Sequence, residues 1–463
     1  MQFTSLTFLY FFLAVLSIYS CLRTVRARNL FLIASGYIFY GWWDWRFLLL
    51  LLTSTLIDFF VAQRIDRAPL PAYRLRWLLV SCTSSLGILG FFKYFNFFEH
   101  SLAAVASKLG LHLDVLTLRV ILPVGISFYT FQSLSYTIDV YRGKVKPERD
   151  FFTFAAFISF FPQLVAGPIE RAGHMFPQFR IVQNVTAEGI RTGVSYCLMG
   201  LFTKLVLADN AAAIANEAFK SPTHSFGNTL LGAYAFAVQV YGDFSGYSNI
   251  AVGLARILGF DLTQNFRQPY LSLSFQEFWR RWHISLSFWL RDYLYISLGG
   301  NRAGGLRTYR NLMITMLLGG LWHGAAWTFI IWGGLHGTYL AVERALRGRL
   351  SIPSSRGARL LGTMLTFHLV CLAWIFFRAN DLRQAVAMLA GLGNFHFGRP
   401  TAWIIVFMLI ACTFALDLWR ERAGTACPLA TWSRVPLGVS WAALILVTLV
   451  LTGRPQTFIY FQF

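Results

Sequence analysis

Long apolar runs separated by short basic or polar segments dominate the sequence of 463 residues. A helix needs roughly 20 apolar residues to cross the hydrocarbon core of a bilayer. The pattern therefore predicts an all-α polytopic membrane protein with about eleven spanning helices, plus re-entrant and interfacial helices. The runs lie at residues 3–21, 29–40, 47–61, 77–98, 120–141, 151–165, 189–213, 230–258, 311–335, 367–377, 401–418 and 435–452. No soluble domain or linker interrupts them, so we expect a single domain over residues 1–463.

The most informative run is residues 311–335, in which His323 is the only ionisable side chain. We expect this run to form one spanning helix with His323 at its middle. An imidazole at that depth costs free energy, so it indicates a functional site, although a neutral histidine bonded to a carbonyl is the alternative. His336 lies thirteen positions further on, about 220° around a straight helix, and would face the same cavity only if the helix were broken. The Gly333-Gly334 pair or Gly337 could supply such a break.

A second informative segment is the basic stretch at residues 264–310, which precedes this run. At 100° per residue, Arg280 and Arg291 fall on one stripe of a predicted amphipathic helix. His283 falls on the neighbouring apolar face, where it could either act chemically or pack among tryptophans. We expect this helix to lie at the cytoplasmic interface or to fold into the protein, because it is too charged to face lipid.

The run at residues 230–258 carries a stripe of polar side chains that suits the wall of a cavity. We expect Asp243, Ser245 and Asn249, together with Trp322, to line that cavity. A carboxylate at this depth is costly unless it is paired, so Asp243 requires a partner, which the sequence does not identify.

Composition and charge support the membrane assignment and exclude other classes. The chain is 56% hydrophobic and only 13% charged, whereas soluble domains are about a quarter charged. Its formal charge of +20 does not indicate nucleic acid, because excess Lys and Arg collect in cytoplasmic loops of membrane proteins. The arginines that follow the first run place the N-terminus outside. Six scattered cysteines without a CxxC pair predict no metal site and no disulfide framework.

Several motifs resemble those of the membrane-bound O-acyltransferases, in the branch that acylates exported polymers. They are FWRRWHISLS at 278–287, WLRDY at 289–293, GLWHG at 320–324, PQLVAGPI at 162–169, the segment at 238–248 and the closing F-x-Y-x-x-F. The resemblance covers most of the chain. It implies an all-α fold around a central funnel, with a catalytic core at residues 264–337 and a functional tail at residues 454–463.

The resemblance also implies roles for three residues. His323 would be the catalytic histidine, and His283 the second functional histidine near the cytoplasmic entrance. Transfer of an acyl group to a hydroxyl requires a base, and imidazole can serve near neutral pH. Tyr460 matches the tyrosine implicated in relaying the acyl group to an extracytoplasmic partner; the alternative is an aromatic interfacial anchor.

The donor is expected to be a cytoplasmic thioester, either acetyl-CoA or an acyl carrier protein, and no permanently bound cofactor is expected. Arg280, Arg281 and Arg291 could meet the phosphates of acyl-CoA or the acidic surface of the carrier. The positive-inside rule alone predicts the same charges, so this assignment stays open.

The resemblance thus implies a bacterial inner-membrane enzyme that passes an acyl group outward. The expected acyl group is acetyl. The acceptor would be an exported polysaccharide such as alginate, cellulose or peptidoglycan, reached through a secreted or periplasmic SGNH-type acyltransferase. One alternative is D-alanyl transfer to teichoic acid from a carrier protein. An alternative of another class is a polytopic transporter with His323 as a gate or proton relay.

Overall fold

The computed structural model describes residues 1–111, 121–165, 167–302, 304–346 and 355–459. Throughout these ranges the regular secondary structure is helical, which confirms the predicted all-α class. Polar side chains cap several of the helices, because an oxygen that precedes the first turn accepts an otherwise unpaired backbone N–H. Such N-caps are Ser5, Thr24, Asp150, Ser274, Ser355 and Asp381.

The chain divides into two compact units, of which the first comprises residues 1–190 and 254–263. Its helices are α1 (Leu6–Cys21), α2 (Val25–Gly41), α3 (Leu48–Arg67), α4 (Pro71–Leu89), α5 (Phe95–Lys108), α6 (Ile126–Tyr141), α7 (Phe151–Ser159), α8 (Phe161–Leu164) and α9 (Ala172–Phe179). Its core is aromatic, and Phe157 meets Phe176 edge to face at a centroid distance of 5.2 Å. Gly36 lets α2 approach α7 closely, since a Cβ there would lie 2.0 Å from the carbonyl oxygen of Ser159.

The second unit comprises residues 191–253 and 264–463. The remaining helices are α10 (Ala187–Phe202), α11 (Asp209–Lys220), α12 (Phe226–Ile257), α13 (Phe275–Arg281), α14 (Ile284–Trp289), α15 (Gly305–His323), α16 (Trp327–Leu346), α17 (Arg356–Arg378), α18 (Leu382–Gly391), α19 (Pro400–Ala423) and α20 (Arg434–Leu451). Both histidines that the sequence motifs single out lie in this unit.

The run at residues 311–335 is not one helix, contrary to the sequence-based expectation. Helix α15 ends at His323, and α16 begins at Trp327 and returns antiparallel to it. The glycines make this close approach possible, because a Cβ on Gly320 would lie 2.2 Å from the Phe329 carbonyl oxygen. His323 therefore stands at a helix end beside a turn, and not in the middle of a spanning helix.

The predicted amphipathic helix at residues 275–295 is also interrupted. Helix α13 ends at Arg281, and α14 begins at Ile284 and continues into a π-helical turn at Leu290–Tyr295. A regular helical wheel therefore does not describe which side chains share a face. The break puts His283 at a junction between two short helices.

Among the described residues, six helical segments are long and apolar enough to cross a membrane. They are Trp45–Arg67, Pro71–Lys108, Ala187–Lys220, Arg356–Arg378, Pro400–Thr431 and Arg434–Leu451. The larger number of about eleven spans stays a prediction of hydropathy.

Candidate active site

His283 and His323 lie side by side in the interior of the second unit. Their ring centroids are 6.5 Å apart, and the side chains belong to residues that are 0% and 3% exposed. The Trp322 ring contacts both imidazoles, at 5.9 Å from His283 and 5.0 Å from His323. The two histidines named by sequence motifs are thus parts of one buried cluster.

His323 is held in an aromatic enclosure at the end of α15. Trp332 meets its ring edge to face at 5.0 Å, and Phe377 lies at 5.2 Å. The following residue, Gly324, has extended backbone, so the helix stops at the histidine. The negative end of the helix dipole favours positive charge in the last turn, which is the form that an imidazole adopts after accepting a proton.

His283 adopts left-handed backbone, with φ of 40° and ψ of 56°, between α13 and α14. Asn265 stabilises this junction: its carbonyl oxygen accepts from Ile284 N at 2.9 Å, and its Oδ1 accepts from Ser285 Oγ at 2.7 Å. The Phe244 ring packs edge-on against the imidazole at 4.6 Å. His283 lies outside the six candidate spans, and complete burial lowers its pKa to about 3, so the ring is neutral.

His336 is close to the histidine pair but separated from His323 by an indole. Trp332 contacts His323 on one side at 5.0 Å and His336 on the other at 4.8 Å. Phe278 stacks on His336 with an interplanar angle of 11°. Neither ring nitrogen of His336 has a hydrogen-bond partner within the described ranges. This environment suits a packed aromatic side chain.

Asp243 has the ionic partner that the sequence left unidentified. Lys204 Nζ lies 2.7 Å from Asp243 Oδ1 and 2.7 Å from Asp209 Oδ1, and all three residues are at most 2% exposed. Burying charges costs free energy, and pairing them with further hydrogen bonds offsets that cost. The three side chains therefore form a single buried ionic cluster.

The same cluster binds the end of the described chain. Lys204 donates to the carbonyl oxygen of Gln456 at 3.1 Å, and Ile459 N donates to Asp243 Oδ2 at 2.7 Å. Phe458 packs on Tyr247 with centroids 4.1 Å apart, and lies 6.3 Å from Phe244. Phe244 is the ring that contacts His283, so one side chain separates the bound tail from the histidine pair. Tyr460 lies outside the described residues.

The three predicted donor-binding arginines have different surroundings. Arg281 forms ion pairs with Glu277 at 2.8 Å and Glu421 at 3.0 Å. Arg291 pairs with its neighbour Asp292 at 2.7 Å and lies over the Phe288 ring. Arg280 is exposed. The structure therefore does not single these arginines out as one anion site.

Of the predicted cavity-lining residues, Ser245 and Asp243 are buried and Asn249 is half-buried. Ser245 Oγ has no hydrogen-bond partner in the described part of the chain. A polar cleft of the same unit lies beside the end of α19 and is lined by other residues. In the described ranges, no group of three or more His, Cys, Asp or Glu side chains is arranged to hold a metal ion.

Sequence reasoning assigned no role to three residues that shape the site: Lys204, Asp209 and Asn265. Two of them gave a usable signal, because a lysine and an aspartate five positions apart in an apolar run require partners. Asn265 gave none, since its role depends on the broken helix that it supports.

Comparison with known proteins agrees with the motifs. The sequence profile of the membrane-bound O-acyltransferase family matches residues 148–382. Over the whole length of both chains, the sequence is 42% identical to a probable alginate O-acetylase of Pseudomonas putida. It is 38% identical to a peptidoglycan O-acetyltransferase of Helicobacter pylori, over 79% of this chain and 73% of that one.

A teichoic acid D-alanyltransferase of Streptococcus thermophilus is 30% identical over 56% of this chain and 69% of its own. The resemblance inferred from the motifs is therefore confirmed. The matched profile, the relatives and the apolar helices show that this chain belongs to the membrane-bound O-acyltransferase family and is a multi-pass membrane O-acyltransferase.

Proposed function

We propose that this enzyme transfers an acetyl group outward for the O-acetylation of an exported polysaccharide, with His323 as the catalytic base. The observation that carries the proposal is the buried pair of His283 and His323, with ring centroids 6.5 Å apart. Relatives named for alginate and peptidoglycan O-acetylation support acetyl as the group and a polysaccharide as the final acceptor.

In the proposed step His323 takes the proton of an acceptor hydroxyl while that oxygen attacks the thioester carbonyl carbon. The new C–O bond forms as the C–S bond breaks, and the imidazolium returns the proton to the departing thiolate. The end of α15 favours the positive charge that His323 carries between the two events. His283 lies 6.5 Å from His323, and as a neutral imidazole it would orient the reacting groups with one N–H donor and one acceptor nitrogen.

The proposed topology has the thioester donor, acetyl-CoA or an acyl carrier protein, on the cytoplasmic side of a bacterial inner membrane. The acceptor stands on the opposite side, together with the N-terminus. A secreted or periplasmic SGNH-type acyltransferase would complete delivery to the polymer. The basic loop that includes Arg280, Arg281 and Arg291 supports a cytoplasmic donor face by the positive-inside rule.

We further propose that Tyr460 relays the acetyl group to that partner. Binding of Gln456 and Ile459 by the ionic cluster supports this role, because it fixes the tail one ring away from His283. The tyrosine hydroxyl would then be the first acceptor, the secreted partner the next, and the polymer the final one.

The second candidate function is D-alanyl transfer to teichoic acid. The similarity to the teichoic acid D-alanyltransferase favours it, but that match is weaker and covers about half of this chain. The same histidine chemistry would apply, so the two candidates differ in donor and acceptor. Membership of an acyltransferase family argues against the transporter alternative.

The test is mass analysis of the exported polymer from cells that express His323→Ala. Removal of a general base lowers the rate about 10²–10⁴-fold, so the acetyl mass is expected to disappear. The matched control is His368→Ala, which removes an exposed histidine on α17. Unchanged acetylation with a folded His323→Ala enzyme would refute the proposal, and a lost alanyl mass would favour the second candidate.

A further inference from the structure

A polar cleft of about 490 Å³ opens in the second unit where α19 ends. Its lining residues are Gln264, Arg267, Gln268, Arg420, Glu421, Gly424, Thr425 and Ala426. Binding pockets for small ligands commonly enclose about 300–1,000 Å³, so this cleft has the size of a ligand site. Its lining is rich in amide and guanidinium groups, which donate hydrogen bonds.

Arg420 is the unusual member of this lining. The residue is only 6% exposed, and Nη1 lies 3.5 Å from the buried carboxylate of Asp417. Its Nε and Nη2 are buried and have no hydrogen-bond acceptor among the described residues. Guanidinium groups without acceptors are costly when buried, so Arg420 places a poorly compensated positive charge at the wall of the cleft, which favours an anionic ligand there.

Two neighbouring residues also suit the cleft to a ligand that carries negative charge. Arg267 is exposed and forms no ion pair in the described ranges, so its charge is available to a ligand. Gln268 has left-handed backbone with φ of 45° while 5% exposed, a conformation that costs free energy for a non-glycine residue. The acidic residue of the lining, Glu421, is already engaged by both Nη atoms of Arg281.

The cleft is connected to the histidine pair through two aromatic side chains. Tyr241 donates to Asp417 Oδ1 at 2.9 Å, and so touches the same carboxylate as Arg420. The Tyr241 ring lies 6.0 Å from that of Trp282, the residue directly before His283. These contacts place Tyr241 and Trp282 between the cleft and the buried histidine pair.

We propose that this cleft is the phosphate subsite of the acyl donor, with Arg267 contacting phosphate oxygens of its phosphopantetheine portion and the buried charge of Arg420 attracting them. The inference rests on the proposed function, in which a thioester donor reaches His323. Arg420 contributes a buried positive charge at the wall of the cleft, and Arg267 supplies a second charge that is exposed. This assignment replaces Arg280, Arg281 and Arg291 as the donor contacts.

The test measures binding to the full-length protein in phosphatidylcholine nanodiscs, with coenzyme A and 4′-phosphopantetheine as separate probes. Arg267→Ala removes a charge without leaving a buried partner, and Ala426→Glu puts a carboxylate into the cleft. Arg422→Ala is the matched control, since it removes an exposed arginine of the same helix outside the lining. Loss of one charge-assisted contact is expected to weaken binding about tenfold in the two cleft variants.

Weakened binding of both probes would support the proposal, because the pantetheine 4′-phosphate is the phosphate that they share. Weakened binding of coenzyme A alone would overturn it in favour of the adenosine phosphates. Equal affinities in wild type and both cleft variants would overturn the proposal. So would an effect that appears only when phosphatidylglycerol is present, because the site would then bind lipid. Loss of polymer acetylation in His323→Ala together with unchanged probe binding in Arg267→Ala would refute the cleft and leave the proposed function standing.

Discussion

The backbone N–H of Ile459 donates to Oδ2 of Asp243 at 2.7 Å, while Oδ1 of the same carboxylate lies 2.7 Å from Lys204 Nζ. One aspartate therefore joins the C-terminal tail to a buried lysine. Because Phe458 packs against Tyr247 and Phe244 beside this contact, the tail is held by both ionic and aromatic interactions. The arrangement gives the tail a fixed place close to His283.

Asp243→Asn is expected to loosen the tail and destabilise the protein. The substitution leaves Lys204 with one carboxylate, and breaking a buried ion pair commonly costs about 3–5 kcal/mol. Carboxypeptidase digestion of the purified protein should shorten the C-terminus faster than in wild type. Asn249→Ala, on the same helix and half-buried, is the control that should digest at the wild-type rate. Equal digestion rates for wild type and both variants would contradict the role of Asp243 in holding the tail.

Tyr460→Phe is expected to abolish acetylation of the polymer, since it removes the hydroxyl that would carry the acyl group and keeps the ring. The acetyl content of exported polymer measures the effect. Tyr73→Phe removes the hydroxyl of an exposed tyrosine and should leave acetylation unchanged. Full acetylation by Tyr460→Phe would show that the ring alone matters, as the anchor alternative requires.

Gly333→Ala and Gly334→Ala should change the stability of the protein in opposite directions, although the two residues are adjacent. A Cβ on Gly333 would lie 2.2 Å from the Met316 carbonyl oxygen and push α16 away from α15, whereas on Gly334 its nearest neighbour is 3.5 Å away. Overpacking costs about 1–3 kcal/mol, and alanine gains about 1 kcal/mol of helix propensity where space is free. Thermal unfolding in detergent should therefore rank Gly334→Ala at or above wild type and Gly333→Ala below it. Identical shifts of the unfolding temperature in the two variants would contradict the close packing of α15 and α16 at Gly333.

His174 should make the first unit less stable at alkaline pH. Its Nδ1 lies 3.0 Å from the buried Glu170, and hydrogen bonds to Asp261 and Glu170 raise its pKa from 6.5 to about 10. A raised pKa means that the protonated form contributes stability fully below pH 6.5, and that this contribution is lost as pH rises through about 10. Wild type should therefore lose thermal stability between pH 7 and 10, and His174→Gln should lose less. Parallel profiles of thermal stability against pH for the two proteins would contradict a contribution from protonated His174.

Much of the site could be predicted because it depends on motifs that survive in the linear sequence. The motifs around His283 and His323 gave the family and the two central residues, and the structure brings both together. The break after His323 could not be predicted from hydropathy, since a turn of small apolar residues leaves the apolar run unbroken. That turn becomes visible only when Gly320 and Gly333 are seen to carry the contact of two antiparallel helices.

The partner of Asp243 could not be predicted from the sequence for a different reason. The need for an ionic partner followed from its charge, but Lys204 lies on another helix, and only the tertiary arrangement pairs them. The same limit applies to Tyr241 and Asp417, whose hydrogen bond joins distant parts of the sequence. Charged residues within apolar runs indicate that buried ion pairs exist, but the sequence does not show which residues form them.

The left-handed backbone at His283 affects how variants at this position are to be interpreted. Alanine there would remove the imidazole and also place a residue with little tolerance for positive φ at the junction of α13 and α14. Asparagine accepts this backbone far more readily and carries no basic nitrogen. Position 283 is thus a site where the choice of replacement decides whether chain geometry or side-chain chemistry is being tested.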